Sequence, residues 1–318
     1  MGALIEAIEL EKYFKTARGM LHAVDKVSFQ IEEGSTVGIV GESGCGKSTL
    51  GRTLIHLLEP TGGRILFQGE DVTRVSKQKL KVLREDMQII FQDPYASLNP
   101  RMTVEQTIRE PLELSHRLTR KQIDDEVDRL MSMVGIDDRM RVSYPHELDG
   151  GRRQRVGIAR AIALNPRFVV CDEPVSALDV SIQAQVLNLL QDLQAQRGMT
   201  YMFVTHDLSV VRHISSHICV MYLGQMVETC PTRELFRHPL HPYTKALLSA
   251  IPSINIHKQG KRIPLKGEIT SPVNPAPGCR FAARCPYVQE RCRQPQSLVE
   301  LSSGHKVACC MCREINGI

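Results

Sequence analysis

The stretch STVGIVGESGCGKST, residues 35–49, joins an apolar run to a glycine-rich loop that ends in lysine and two hydroxyl residues. Its first seven residues are typical of a strand buried on both faces, and a helical pattern follows the loop. Between a strand and a helix, the glycines let backbone N–H groups curl around a phosphate. Lys47 can then reach the β and γ oxygens, and Ser48 can offer its hydroxyl to Mg²⁺. This context favours a phosphate-binding loop over a chance glycine-rich turn.

Composition limits the class of protein. The chain has 318 residues, of which 42% are hydrophobic, enough for a core of roughly 200 to 250 residues plus an appendage. Its net charge of +5 comes from 40 basic and 35 acidic residues, which are interspersed, so nothing demands a nucleic-acid partner. No apolar run approaches the roughly 18 to 20 residues of a spanning helix, and no secretory signal opens the chain. We expect a soluble, cytoplasmic protein.

Residues 1–250 alternate apolar runs with helical patterns, which predicts an α/β domain with a mainly parallel sheet. The runs RFVVCDE (167–173) and TYMFVTH (200–206) predict two further buried strands. Apolar residues at helical spacing lie between them, and Gly198 supplies a helix stop. Polar helices at about 93–160 predict a helical insertion.

After residue 250 the chain changes character. SPVNPAPG (271–278) is proline-rich, and six of the ten cysteines fall between Cys279 and Cys312. We therefore predict a small cysteine-rich extension over 251–318.

Two strand ends carry polar side chains suited to phosphate chemistry. Asp172 can bind Mg²⁺ through water, and Glu173 can polarise an attacking water for in-line transfer. His206 closes the next strand, so we expect it at the same sheet edge, where it could contact the γ-phosphate. Alone, the acidic pair would be a solvated strand end and the histidine a structural residue.

These motifs resemble the ATP-binding subunits of ABC transporters over essentially the whole chain. The phosphate loop, Gln92 in FQDP, LDGGR (148–152) in place of the LSGGQ signature, CDEP, SALD (176–179) and His206 follow in family order. The resemblance implies a P-loop NTPase fold with a RecA-like core, a β-rich N-terminal subdomain and a helical insertion. It implies ATP hydrolysis with Mg²⁺ as cofactor.

The resemblance also assigns roles to single residues. Tyr13 would stack on adenine, although an exposed strand tyrosine would look the same in sequence, and Gln92 would sense Mg²⁺ and couple to membrane subunits. Catalysis would rest on Glu173, His206 and Gln92. Mg²⁺ ligands would be Ser48, Gln92 and Asp172. Other nucleotide contacts would come from Gly41, Ser43, Gly44, Cys45, Gly46, Lys47, Thr49, Asp149, Gly150, Gly151 and Asp179.

Asp149 departs from the family pattern, in which a signature serine donates a hydrogen bond to the γ-phosphate on the opposite subunit. An ionised Asp only accepts hydrogen bonds, yet it caps a helix as well as Ser does. We therefore expect a helix start that is preserved and a phosphate contact that is spoiled. Arg152 could pair with Asp149 across the first helical turn, or turn its guanidinium to the phosphate and partly rescue the contact. The alternative is a signature that tolerates Asp. The expectation is a heterodimer with unequal ATP sites.

HPLHPYTKALLSAIP (238–252) and SPVNPAPGCRFAARCP (271–286) look like the C-terminal region of oligopeptide and dipeptide importer ATPases, a group that includes nickel and metallophore importers. The resemblance implies a second ABC ATPase subunit, two transmembrane permease subunits and a solute-binding protein. It places the chain at the cytoplasmic face of the membrane. The cargo stays open.

Cys279, Cys285, Cys292 and Cys309 could hold Zn²⁺ or an iron-sulfur cluster, and these four contain no C-x-x-C pair, which argues against the usual zinc-finger arrangement. The resemblance favours a [4Fe-4S] cluster. Zinc and uncommitted thiols stay open, because Cys310 and Cys312 offer competing ligands.

Two other functions are alternatives. A soluble ABC-type ATPase acting on DNA would want a basic stripe with interleaved aromatics, whereas this chain has no Trp and 5% aromatic residues. An exporter subunit would leave the peptide-importer tail unexplained.

Overall fold

Strand β3, Thr36–Val40, is the apolar run that precedes the glycine-rich loop, and all five of its residues are buried. The structure is a computed structural model that describes residues 2–251, 263–265, 267, 270–302 and 304–318. Its contacts divide the chain into two units. The first unit is Met1–Gly2, Glu32–Ser35 and Arg74–Met202, and the second is Ala3–Ile31, Thr36–Thr73 and Phe203–Ile318.

The described part of the first unit contains a parallel strand pair and six α-helices. Strands β6 (Met87–Ile90) and β7 (Phe168–Asp172) pair in parallel; β7 is the strand predicted at 167–173, whereas β6 was not predicted. The helices are α2 (Lys77–Asp86), α3 (Pro94–Ser97), α4 (Val104–Ser115), α5 (Arg120–Met133), α6 (Gly150–Ile162) and α7 (Val180–Arg197).

Sequence signals explain where these helices begin and end. Helices α4 and α5 each start with a capping box, in which the side chain of Thr103 or Thr119 accepts from the backbone N–H three residues on. Helix α7 turns Val186 and Leu193 to the core and ends at Gly198, whose left-handed φ of 67° favours glycine. The predicted helix and its stop are therefore confirmed.

The second unit contains a separate four-stranded sheet in the order β2-β1-β4-β5. Its β1 and β4 pair antiparallel, with Ile5 opposite Phe67. This is the β-rich N-terminal part that the resemblance predicts. The strands are β1 (Ala3–Thr16), β2 (Gly19–Glu32), β4 (Gly62–Phe67) and β5 (Glu70–Asp71).

The main sheet of the second unit runs β11-β12-β10-β9-β3. Strands β3 and β9 are parallel, but β10, β12 and β11 add to the edge antiparallel. The predicted parallel sheet is thus mixed at this edge, because β9 and β10 form a hairpin. Besides β3, the strands of this sheet are β9 (His217–Tyr222), β10 (Gln225–Pro231), β11 (Val299–Ser302) and β12 (His305–Val307). Strand β8 (Thr200–Thr205) contributes residues to both units.

Five more α-helices lie in the described part of the second unit. They are α1 (Lys47–Leu54), α8 (Leu208–Ile214), α9 (Thr232–Arg237), α10 (Pro242–Ser249) and α11 (Cys312–Asn316).

A buried carboxylate anchors the C-terminal strands. Glu228 in β10 is fully buried and accepts hydrogen bonds from the backbone N–H groups of Leu240 and His241, at 2.7 and 2.9 Å. The ring nitrogen Nε2 of His305 in β12 lies 2.8 Å from its Oε1. A buried acceptor that is satisfied from three sides fixes β12 and the start of α10 to β10.

Two predictions about organisation concern the helices. Helices α3 to α6 lie within Pro94–Ile162. The helical insertion at about 93–160 stays a prediction, and so does the domain boundary at residue 250. Within the described residues, no helix combines the length and the apolar character needed to cross a membrane.

Candidate nucleotide site

The loop after β3 has a backbone that only glycine accommodates well. Gly46 has a φ of 104°, and a Cβ there would lie 2.0 Å from the carbonyl oxygen of Ala23. Gly46 is also the N-cap of α1. Since it has no side chain, no carboxylate or hydroxyl of the capping residue competes for the first N–H groups of this helix.

Lys47 places its charge inside the loop. Its side chain is buried, and Nζ donates to the carbonyl oxygens of Gly41 and Glu42, at 2.8 and 2.9 Å. Ser48 and Thr49 follow in the first turn of α1. The loop therefore combines a buried ammonium group, hydroxyl side chains and a helix N-terminus, which together suit a polyphosphate.

Tyr13 in β1 belongs to the same unit as the loop. Its hydroxyl donates to Asp25 Oδ1 at 2.6 Å, and its ring stacks on His22 with centroids 4.0 Å apart. Burial opposes ionisation of Asp25, but the hydrogen bond from Tyr13 and the charge of Arg280 outweigh it and lower the Asp25 pKa. Adenine stacking stays a prediction.

In the first unit, the predicted site residues Gln92, Asp172 and Glu173 lie at the carboxyl ends of two neighbouring strands, β6 and β7. Asp172 ends β7 and is fully buried. Glu173 follows it with a left-handed φ of 46°, unusual for a residue with a side chain. Gln92 Nε2 donates to Glu173 Oε2 at 3.0 Å. The structure thus joins the predicted base to the predicted Mg²⁺ sensor by a hydrogen bond that sequence reasoning missed.

The oxygen ligands proposed for Mg²⁺ fit its chemistry. Asp172 and Gln92, on strand ends of the first unit, offer carboxylate and amide oxygens, and Ser48 offers a hydroxyl in the second. Two other predicted residues stand at ends of elements: His206 is exposed directly after β8, and Asp179 is the N-cap of α7.

Asp149 is the N-cap of α6, as predicted. Its Oδ1 accepts from the backbone N–H of Arg152 at 2.8 Å, and its Oδ2 lies 3.4 Å from Arg152 Nη1. The carboxyl group is 59% exposed. Both the helix cap and the pairing with Arg152 expected from sequence are therefore confirmed.

The two signature glycines have a packing role. A Cβ on the buried Gly151 would lie 2.7 Å from Ile182 Cγ2 of α7, and one on Gly150 would lie 3.3 Å from Leu178 Cδ2. Glycine at both positions lets α6 and the chain before α7 approach closely.

The cysteines of the extension gather in the second unit. Cys292 Sγ lies 3.8 Å from Cys310 Sγ, whereas Cys309 packs beside Leu240 and Val307. Burial raises the pKa of Cys279 to about 11 and that of Cys309 to about 12, and neighbouring cysteines add to both shifts. Cys310, rather than Cys309, is thus the close neighbour of Cys292.

The spacing of these thiols bears on the choice of metal. A zinc ion that holds thiolates at about 2.3 Å keeps them about 3.8 Å apart. Among the described residues, three potential ligand atoms lie within 4.8 Å of one another only at Glu228, Cys230 and His305. Cys292 and Cys310 thus have the spacing of a zinc-bound pair, but no third ligand of the described residues joins them within 4.8 Å. Sulfur ligands suit a thiophilic metal.

Sequence reasoning missed the residues that hold the phosphate loop from outside. The N–H of Glu42 donates to the Tyr243 hydroxyl at 2.8 Å, and the Glu42 carboxylate pairs with Arg284 at 2.7 Å. Both partners lie about 200 residues or more along the chain, so no local signal pointed to them.

A glycine-rich loop with a buried lysine, set between a buried strand and a helix, defines a P-loop nucleoside triphosphatase, and the comparisons with known proteins narrow this class. The family model described as ABC transporter matches residues 24–176. The model described as oligopeptide/dipeptide transporter, C-terminal region, matches residues 227–292.

Relatives match nearly the full length of the chain. The oligopeptide transport ATP-binding protein AppF of Bacillus subtilis is 49% identical, covering 96% of both chains. The dipeptide transport ATP-binding protein DppF of Escherichia coli is 47% identical over 96% of this chain and 93% of its own. OppF of Salmonella typhimurium, an oligopeptide transport ATP-binding protein, is 46% identical over 96% and 95%.

Solved structures agree with this result. The bacterial ABC transporter cassette MJ0796, solved as a dimer, has a TM-score of 0.67 and 29% identity over 72% of this chain and 99% of its own. The cassette cbiO1 of Clostridium perfringens has a TM-score of 0.67 and 28% identity over 75% and 92%. This chain belongs to the family of ABC transporter ATP-binding proteins, in its oligopeptide and dipeptide transport branch. It is an ATPase subunit that uses ATP and Mg²⁺.

Proposed function

We propose that this chain powers the uptake of oligopeptides or dipeptides by an ABC importer. The observation that carries the proposal is the match of residues 227–292 to the C-terminal region of oligopeptide and dipeptide transporters. Relatives named for oligopeptide and dipeptide transport support it along the whole chain. The nickel, metallophore and DNA-acting alternatives gain no support from these relatives.

The ATP chemistry we propose follows the site residues. Lys47 and the N–H groups at the start of α1 hold the β- and γ-phosphates, and Ser48, Gln92 and Asp172 serve Mg²⁺. Glu173 takes the proton of the attacking water. The hydrogen bond from Gln92, at 3.0 Å, orients the Glu173 carboxylate. His206 contacts the γ-phosphate, and Tyr13 stacks on adenine with the ring face opposite His22.

The signature supports an asymmetric dimer. We infer that α6 of this chain faces the ATP held by a second ATPase subunit, as the dimeric cassette relative suggests. Asp149 brings a carboxylate to that γ-phosphate where a donor is needed. The site that contains this chain's own loop, with a partner's normal signature, would then be the stronger one. This predicts a heterodimer whose second subunit carries an unaltered signature.

The remaining partners follow from the importer assignment. They are two transmembrane permease subunits and an extracellular or periplasmic solute-binding protein, which selects the cargo. Such an arrangement puts this chain on the cytoplasmic face of the membrane as a peripheral subunit. ATP binding closes the ATPase dimer, and hydrolysis reopens it.

We propose an iron-sulfur cluster for the cysteine-rich extension, with zinc as the alternative. The thiols of Cys279 and Cys292 line a cavity of about 440 Å³. Cys279, Cys285 and Cys292 would be ligands, and the fourth would be Cys309 or Cys310. Anaerobically purified protein should absorb broadly near 400 nm and hold roughly four irons per chain; stoichiometric zinc without iron would contradict the cluster.

The importer function can be tested by purifying the tagged chain from membranes with its partners. The co-purified chains, reconstituted in proteoliposomes with the solute-binding protein, should take up labelled di- or oligopeptides when ATP is supplied. A complex containing Lys47→Ala should not. Transport of chelated nickel without peptide transport, or retention on DNA with no permease present, would contradict the proposal.

A further inference from the structure

The segment CRFAARC, residues 279–285 of the cysteine-rich extension, contacts two residues of the second unit near the proposed nucleotide site: Glu42 of the phosphate loop, and Asp25, which binds Tyr13. We call this segment the brace. Three of its side chains are buried. The exposed fractions are 6% for Arg280, 1% for Phe281 and 8% for Arg284. Its first and last residues are two of the cysteines assigned to the metal cluster.

Arg284 holds the side chain of a phosphate-loop residue. Its Nη1 and Nη2 donate to the two carboxylate oxygens of Glu42, at 2.7 and 3.2 Å. This two-pronged geometry is the strong form of an arginine–carboxylate pair. Glu42 follows Gly41 in the loop, so its carboxylate stands close to where the phosphates bind. Arg284 neutralises a charge that would otherwise repel them.

Phe281 supports the backbone of the same loop residue. Its ring packs against Tyr222 and Tyr243, with centroids 5.3 and 5.4 Å away. The Tyr243 hydroxyl accepts the hydrogen bond from the Glu42 N–H. Both the backbone and the side chain of Glu42 are thus fixed by contacts that involve the brace.

Arg280, at the other end of the brace, contacts residues near Tyr13. It donates to the carbonyl oxygen of Leu223 and to Asp25 Oδ2, while Asp25 Oδ1 accepts from the Tyr13 hydroxyl. Arg280 thereby holds the carboxylate that orients the tyrosine proposed to stack on adenine.

We propose that Arg284 and Arg280 are positioning residues for ATP, through which the cysteine-rich extension sets the nucleotide affinity of this chain. Arg284 acts on the phosphate loop through Glu42, and Arg280 acts on Tyr13 through Asp25. The inference rests on the assignment of residues 41–49 as the phosphate loop. It adds a role for the extension that lies outside cargo selection and permease contact.

The charge argument makes the inference testable. Arg284→Met leaves the Glu42 carboxylate unpaired in the loop, so ATP binding should weaken about 10- to 100-fold, the range for one charged hydrogen-bonded pair. Glu42→Gln in the Arg284→Met background removes that charge and should restore most of the affinity. Arg284→Lys keeps the positive charge and should bind ATP more tightly than Arg284→Met.

The experiment measures the dissociation constant of a fluorescent ATP analogue with Mg²⁺ on the full chain. Arg293→Met is the matched control, because Arg293 lies beyond the brace and pairs with Glu290 on the surface, at 77% exposure; its affinity should equal that of the wild type. Thermal unfolding without nucleotide checks that each variant is folded. Arg284→Gln carries the test if Arg284→Met does not fold, because it keeps a polar side chain without the positive charge: ATP binding should still weaken, and wild-type affinity would overturn the inference.

Wild-type affinity in folded Arg284→Met, or no recovery on adding Glu42→Gln, would overturn the inference. Loss of binding in the single Glu42→Gln variant would also overturn it, since the carboxylate would then itself support the nucleotide. A Lys47→Ala chain that binds as tightly as the wild type would instead overturn the phosphate-loop assignment, which separates the two failures.

Discussion

Helices α1 and α6 both begin at glycine-containing turns, but their first turns are built in opposite ways. The N-cap of α1 is Gly46, and the buried ammonium group of Lys47 follows it. The N-cap of α6 is Asp149, whose carboxylate already accepts from the N–H of Arg152. One helix start leaves its donors and a positive charge for a phosphate, and the other supplies its own anion. Two glycines at a helix start therefore do not by themselves make an anion site.

The glycines of the two turns also differ in purpose. Gly46 is required by its left-handed φ and by the nearby Ala23 carbonyl. Gly151 is required by the close approach of Ile182. The first serves the loop conformation and the second serves helix packing, so the α6 glycines can persist whether or not Asp149 supports ATP.

The largest expected loss of kcat/KM comes from Lys47→Ala, because this variant should lose both turnover and ATP affinity. Removing a charged donor should lower kcat by about 10²–10³-fold and weaken ATP binding by about 10- to 100-fold. Steady-state ATPase kinetics of the assembled complex, together with nucleotide titration, measure both. Lys81→Ala, which removes an exposed lysine from α2, is the control and should leave both unchanged. Wild-type turnover in Lys47→Ala would contradict the assignment of the α1 start as the phosphate-binding helix end.

Glu173→Gln should lower kcat by about 10²–10⁴-fold with ATP affinity preserved, because it removes the general base and leaves Lys47 and Ser48 in place. Single-turnover hydrolysis measures the chemical step directly. Gln92→Ala, which removes the hydrogen bond to Glu173, should cost less than Glu173→Gln. Wild-type hydrolysis in Glu173→Gln would refute the assignment of the base.

Asp149→Ser should raise the ATPase rate of the assembled complex about two- to fivefold, the range for one exposed charge interaction. Ser restores a donor and keeps the helix cap. Asp149→Asn separates the two causes, because it removes the charge without supplying a hydroxyl. The exposed Asp125 of α5 offers a control, and Asp125→Ser should change nothing.

Asp149→Ala should have the smallest functional effect while destabilising the start of α6. Loss of an N-cap costs about 0.5–2 kcal/mol of unfolding free energy, whereas Asp149→Asn should cost little. Urea unfolding of the isolated chain compares the two variants. Equal stabilities for Ala and Asn at this position would mean that the cap contact contributes nothing.

The elements around the phosphate loop could be predicted from sequence because their signals are local. A continuous apolar run indicated β3, and all five residues of this strand are buried in the structure. Gly198 indicated the end of α7. The cap of α6 followed from Asp149 alone. In each case the residues that decide the structure lie within one element or one turn.

Other features could not be predicted because their partners are far apart in the chain. The pair Arg284–Glu42 spans 242 positions, and the hydrogen bond of Gln92 to Glu173 spans 81. The antiparallel edge of the main sheet depends on where the strands at residues 299–307 find a partner. A periodic pattern carries no information about such pairings. Cys310 gave the same signal as Cys309, so only the fold brought it to Cys292.

The most direct test of the contrast between α1 and α6 is a titration of the assembled transporter with a non-hydrolysable ATP analogue. The asymmetric site predicts two classes of binding site in the wild-type complex, and Asp149→Ser should tighten the weaker class while the tighter one stays unchanged. A single class of site in a homodimer, with the same affinity before and after Asp149→Ser, would contradict it.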